Sequence, residues 1–345
     1  MQDTSSKTEF KETSAKILDS SRKQILSRRI NELSLKIQGT KLEALINKLY
    51  LELESHGITF KPKCYLSDEW GCPHGIPVIG IPFYLADPEL SRLEGELTGI
   101  EAESEDEILM YLRHEAGHAF NYAYKLYLHP EWRSLFGLFS NPYRENYKPR
   151  PFSPGFVRHI PGWYAQKHPD EDFAETFAVW LKPDSNWRTV YADTPALSKL
   201  LYVERVVKEH GDKTPIVTDE TLDAPVEELT DTLDAWYSDE GVKFEINLPK
   251  ILNEDLLALF PPVSSGQSAY LFLSANRRRI SQDINRWTGI DRELIENLID
   301  ELIKRLKMLD LQIDPSKTGE AFIDLSSFIT TLVMNYLYTD NFVML

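Results

Sequence analysis

Between Glu105 and Leu128, the residues Ile108, Leu112, Ala116, Ala119, Ala123 and Tyr127 recur every three or four positions, with no proline among them. That period is helical, and a stripe of this kind has to be buried against another element. The stripe runs through the string His114-Glu115-Ala116-Gly117-His118. Histidines four apart on a helix leave from one face, so a buried helix here carries two imidazoles side by side. Ala116 and Gly117 are small and let a neighbouring segment approach closely.

Two such imidazoles can reach one tetrahedral zinc ion at about 2.0–2.1 Å. Glu115 would stand beside the metal and could take a proton from a zinc-bound water, whose pKa falls to about 7. An HExxH string arises by chance in on the order of one chain in a hundred of this size, so it needs support from elsewhere. Pro169, Asp170, Glu171 and Asp172 open a second helix, since proline suits the first turn and acids suit the N-terminal dipole. It is predicted to end near Lys182, before Pro183. Glu171 and Glu175 share a face of it, and Phe173, Phe177 and Trp180 would pack it on the first helix. One carboxylate can then complete the coordination while the other holds a ligand imidazole from behind. Geometry alone leaves open which does which. Asp172 lies about 100° round the helix from Glu171. His159 and His168 fit no ligand spacing, and His159 reads as a loop hydrogen-bonder or a substrate contact. Asn121 reads as a helix-surface amide. Two histidines, one carboxylate and a water form the open pattern of catalytic zinc rather than the closed structural one.

HExxH followed by Tyr164, six residues, and Glu171-Asp172-Phe173-Ala174-Glu175-Thr176-Phe177 resembles the gluzincin group that includes anthrax lethal factor and the Pro-Pro endopeptidases. The strings DEWGCPHGIPVIGIPFYLADPEL and GWYAQKHPDEDFAETFAVWLKPDSNWR more specifically resemble a bacterial family described as putative zinc-binding metallopeptidases, over residues 60–210 or so. The resemblance implies an α+β, zincin-like domain with a small sheet and active-site helices, and hydrolysis of peptide or amide bonds with Zn2+ as cofactor. It implies His114, His118 and Glu171 as ligands, Glu115 as the general base, Tyr164 as the oxyanion donor and Glu175 behind a ligand imidazole. The alternative from another class is a zinc-binding interaction module without turnover. An intact Glu115 speaks against it, because a binding site has no use for that carboxylate.

The rest of the chain sets the frame. Of 345 residues, 42% are hydrophobic and 27% charged, enough for one large or two modest domains. Residues 1–25 are polar and read as frayed; residues 1–55 form an N-terminal helical segment broken at Gly39; residues 56–213 form the catalytic domain. A shift to proline and acids after Gly211 opens a mainly helical region, 214–345, with its strongest helix at Asp291–Leu309. From Asp219 to Glu240 there are nine acids and no base, a solvated connector. Val78–Leu85 reads as an edge strand to which a peptide could add, since Pro77 and Pro82 lack the N–H that an inner strand needs. The long ordered loop from Tyr127 to Pro161 carries Arg144, Lys148, Arg150 and Arg158, which could wall a cleft for acidic peptides or a free carboxylate. A net charge of −16 disfavours nucleic acid as a partner, and Arg277–Arg279 reads as a helix-end cluster. No run of 18 apolar residues or secretory leader is present, so no membrane association is expected. Two cysteines eight apart, Cys64 and Cys72, read as reduced thiols in a cytoplasmic protein. The expected partners are a peptide or protein substrate and, through the C-terminal region, a further protein.

Overall fold

Thr40 opens the first long helix of the computed structural model, α1 (Lys41–Ser55), by accepting from Leu42 N. Gly39, just before it, has a φ of +78°, a conformation that glycine adopts without strain, and the expected break falls there. The structure describes residues 22–98, 104–143, 147–239, 246, 248–261 and 266–343. The polar start of the chain, residues 1–21, and Arg144 lie outside them.

Two strands follow, β1 (Lys63–Ser67) and β2 (Val78–Pro82), paired in parallel with Tyr65 opposite Gly80. β2 stops short of Leu85 because Phe83–Ala86 turns into a 3-10 helix. All five of its residues are buried. Its outer edge is closed at Gly80, which exchanges backbone hydrogen bonds with Gly71 at 2.7 and 3.3 Å. The expectation of a free edge is corrected here: a peptide could add to β2 only by displacing the Gly71 segment.

After α2 (Pro88–Thr98), Ser104 and Glu107 cap α3 (Glu105–Ala123) reciprocally, each side chain bonding the other's backbone N–H. The 127–161 segment is not all loop, since Pro130 starts a short helix, α4 (Pro130–Phe136). Trp132 and Phe136 of α4 meet Phe173 of the next helix, α5 (Pro169–Leu181). α5 lies along α3 at close range. A β-carbon added at Gly117 would sit 2.8 Å from Ala174 Cα and 3.0 Å from Ala174 O. Beside that contact Phe120 stacks on Phe177, with centroids 5.4 Å apart. On the other side, Arg113 of α3 makes two 2.7 Å hydrogen bonds to buried Glu52 of α1. A buried bidentate pair of this kind fixes the relative placement of two helices more than it adds stability. α6 (Ala196–His210) backs α5, and its Lys199 reaches Asp172 Oδ2 at 2.6 Å.

This first core extends from Ile30 to Leu233. Its end is tied to its beginning: Ile30 N donates to Asp231 O and Leu233 N to Arg28 O, both at 3.0 Å. After α7 (Leu233–Asp239), a second core is built from α8 (Leu252–Leu259), α9 (Ala269–Thr288), α10 (Arg292–Met308) and α11 (Thr318–Thr339). Leu294, Leu298, Leu302 and Leu306 of α10 are buried in it, and Leu309, just past the helix end, packs against it partly buried. A two-residue pair, β3 (Gln267–Ser268) with β4 (Gln312–Ile313), closes one end. Arg277 is held by Asp300 and Glu296 of α10. The two cores touch where Trp163 Nε1 donates to Trp287 O at 3.2 Å and Lys148 pairs with Asp340 at 2.6 Å. Helices dominate and the sheet is small, an α+β composition. No described helix is long and apolar enough to cross a membrane.

Candidate metal centre

His114 and His118 leave one face of α3, and Glu171 meets them from the first turn of α5. His114 Nε2 lies 2.9 Å and His118 Nε2 3.2 Å from the same oxygen, Glu171 Oε2, and the two nitrogens are 3.1 Å apart. All three side chains are buried, and their donor atoms lie within 4.8 Å of one another. Tetrahedral zinc with ligands at about 2.0–2.1 Å spaces its donors by about 3.3 Å. The three groups therefore fit that ion after opening by only a small fraction of a bond length.

Each imidazole is held from behind. His114 Nδ1 lies 2.9 Å from Glu175 Oε1, which makes Nδ1 the donor and turns Nε2 towards the centre. Glu175 also accepts from His159 N at 3.1 Å and Ile160 N at 3.0 Å. His118 Nδ1 lies 3.0 Å from Asp170 Oδ2, an ion-pair contact without the alignment of a hydrogen bond. Asp170 is fixed in turn by Asn121 Nδ2 at 2.8 Å and by the Tyr122 hydroxyl. Asn121 is thus fully buried and structural, contrary to its reading as a surface amide. Asp170 was not foreseen: an acid in the first turn of a helix already has a sufficient reason in the dipole.

The proton affinities follow from this packing. Burial pushes His114 down, but its hydrogen bonds to Glu171 and Glu175 outweigh that and raise it to about 9. His118 is likewise opposed by burial and carried well above its usual value by Asp170 and Glu171. Glu171, which burial alone would raise, is held well below the carboxylate range by His118 and His114. The carboxylates draw positive charge onto the two imidazoles, and a dication bound by the same donors would displace those protons. Burial raises the Glu115 carboxyl, against the pull of His114 and His118.

Glu115 shares a cavity of about 110 Å³ with the three donors, Tyr143 and Tyr164. The Tyr164 ring is 5.5 Å from that of His114. The Tyr143 hydroxyl donates to Glu171 Oε1 at 2.7 Å; this tyrosine comes from an aperiodic loop and carried no signal in the sequence. His168 is no ligand, because its Nδ1 accepts from Asp170 N at 3.1 Å and caps α5. His159 donates from Nε2 to Met110 O at 2.9 Å, as a loop hydrogen-bonder would. Asp172 is turned away, onto Lys199.

A family model described as putative zinc-binding metallo-peptidase matches residues 100–236. That stretch contains the HExxH string, Tyr164, Glu171 and Glu175, and over it the chain is similar to a class of zinc-binding peptidases. No curated protein and no solved structure matches the chain.

Proposed function

We propose that the chain is a zinc metallopeptidase that hydrolyses peptide or amide bonds, with a gluzincin-type site on a zincin-like fold. The observation that carries this is the convergence of His114, His118 and Glu171 in a buried cavity that also holds Glu115. Zinc would be held by the two Nε2 atoms and the Glu171 carboxylate; when bound it lowers the pKa of a water and polarises the substrate carbonyl. Glu115 takes the water proton and passes it to the leaving amine, a role suited to a carboxyl whose proton affinity burial has raised. Tyr164 donates to the oxyanion. Glu175 and Asp170 hold the imidazoles in register, and Tyr143 orients Glu171. Elemental analysis of purified protein should find about one zinc per chain. A metal-free protein that takes up no zinc on titration would sink the proposal.

Glu175→Gln and Asp170→Asn keep the shape of these side chains and remove their charge. Each should weaken zinc binding or turnover by about 10–100-fold, the usual effect of losing a partner behind a ligand. Zinc titration of the two variants checks this, and an Asp170→Asn protein with unchanged affinity would show that the contact with His118 has no grip on the metal.

The first core also bears on the extent of the catalytic unit. Val226 and Leu233 are buried in it, and residues 28–31 pair with residues 229–233. We therefore place its end near Asp239 rather than at residue 213, and include the N-terminal segment with it. A chain ending at Asp239 should fold and retain zinc, as read by circular dichroism and metal content. One ending at residue 213 should be less stable, because it exposes the sites of Val226 and Leu233. Equal stability of the two would return the boundary to 213. The thiols Cys64 and Cys72 are free, which supports a cytoplasmic setting.

A further inference from the structure

A cleft of about 700 Å³ opens between the two cores, with Tyr164, Lys167 and Gly162 on one wall and Ile290, Leu294 and Tyr336 on the other. Tyr164 also lines the small cavity of the metal centre, so its ring is common to both spaces. Three cations border the cleft: Lys148, Lys167 and Arg292. Lys148 is paired with Asp340 at 2.6 Å, and Arg292 with Glu296 at 2.6 Å. Lys167 makes no ion pair among the described residues. Its ammonium stands instead over two rings, 5.1 Å from the centre of Tyr164 and 5.8 Å from that of Tyr143. Glu69 senses its charge from a distance. Of the acids on the cleft, Asp291 is engaged in capping α10 through Glu293 N at 2.8 Å, Asp340 is paired with Lys148, and Glu293 is exposed.

Of the cations expected to form a basic wall from residues 144–158, Arg144 lies outside the described residues and Arg150 is exposed. The Arg158 guanidinium lies 4.3 Å from the Trp163 ring and 5.1 Å from that of Phe152, and Lys148 is neutralised. The cation at the centre is Lys167, on the turn between Tyr164 and Glu171. A second cavity, of about 370 Å³, has Lys167 on its wall as well. Lys167 therefore lines both of these spaces.

We propose that Lys167 receives a carboxylate of the bound peptide. The ammonium is 5.1 Å from the Tyr164 ring, which is 5.5 Å from His114. That path is no longer than about three residues of extended chain. The substrate class is then a peptide with an acidic side chain, or its own terminal carboxylate, within about three residues of the scissile bond. An ammonium held over aromatic faces can meet such a group without first breaking an ion pair, whereas Lys148 and Arg292 would first have to release their partners.

This inference rests on the peptidase reading, and the test separates the two. Fluorescein-labelled pools of random hexapeptides, one containing Glu and the other Gln in its place, are titrated against zinc-loaded Glu115→Gln protein. Each pool is made with a free and with an amidated C-terminus. Binding should favour the carboxylate-bearing peptides by about fivefold at low salt, as a well-placed but partly exposed pair allows, and less at high salt. Preference that survives amidation assigns an acidic side chain; preference lost on amidation assigns the terminal carboxylate. On the same background Lys167→Gln should abolish the preference, and Lys167→Glu should reverse it. Equal binding of all pools, or a preference that persists in both variants, overturns the inference. A Lys167-dependent preference with no cleavage of either pool by the unmodified enzyme would instead overturn the peptidase reading and leave Lys167 as the anchor of a binding site.

Discussion

Replacing Glu115 with Gln should give a folded protein that keeps its zinc and turns over peptides about 10²–10⁴ times more slowly, the range for loss of a general base. The amide fills nearly the same space but cannot take a proton from water. Glu115 is not one of the three groups whose donor atoms converge, so the metal should stay. The fold should not suffer either. Glu115 is a buried carboxyl whose charged form is opposed by burial and by its neighbours Glu171 and Asp170. A neutral amide in that place is cheaper to desolvate. The measurement is kcat at saturating peptide, with zinc content determined on the same sample. A fully loaded variant of normal activity would remove Glu115 from the mechanism. A variant that has lost its metal would place Glu115 among the groups that hold it.

How far the sequence reaches depends on whether a feature is local. The capped α3 helix, the break at Gly39 and the start of α5 at Pro169 follow from periods and terminal residues within a few positions, and they appear where those signals lie. The spacing of His114 and His118, and of Glu171 and Glu175, is local too. That these pairs meet is a tertiary fact, at which the apolar residues Phe173, Phe177 and Trp180 and the small residues Ala116 and Gly117 hint. The failures lie where tertiary packing overrides the local pattern. The stripe from Ile108 to Tyr127 implies one buried face, whereas every residue of α3 from Leu112 to Ala123 is buried. On a helix covered all round, a polar residue off the stripe is not at the surface, so Asn121 was misplaced and its partner Asp170 missed. Val78–Leu85 reads as an edge because Pro77 and Pro82 lack a donor, but Gly71 closes that edge at Gly80. Tyr143 and Lys167 lie in aperiodic segments, where only the folded chain shows what they face.

Gly117→Ala should weaken zinc binding by more than about 100-fold without touching a single donor atom. Alanine is the better helix former by about 1 kcal/mol, so in open space the change would stabilise α3. Here the added methyl would sit 2.8 Å from Ala174 Cα, 3.0 Å from Ala174 O and 3.1 Å from Phe177 Cβ. Two of these neighbours are backbone atoms of α5 and cannot rotate away. Relief requires α3 and α5 to separate, at about 1–3 kcal/mol or more, which outweighs the gain in propensity. The contact lies between the residues that hold the site together, with His118 one position after Gly117 and Glu171 three before Ala174. Separation therefore pulls Glu171 from the imidazoles, and because it displaces a ligand it should reduce zinc affinity by more than the roughly 100-fold of a lost supporting contact. Gly319→Ala is the control, since nothing lies within 4 Å of its added β-carbon. It should leave both zinc affinity and melting temperature unchanged or slightly raised. If Gly117→Ala behaves like that control, α3 and α5 are free to adjust, and the close approach of the two helices is not what sets the metal donors in place.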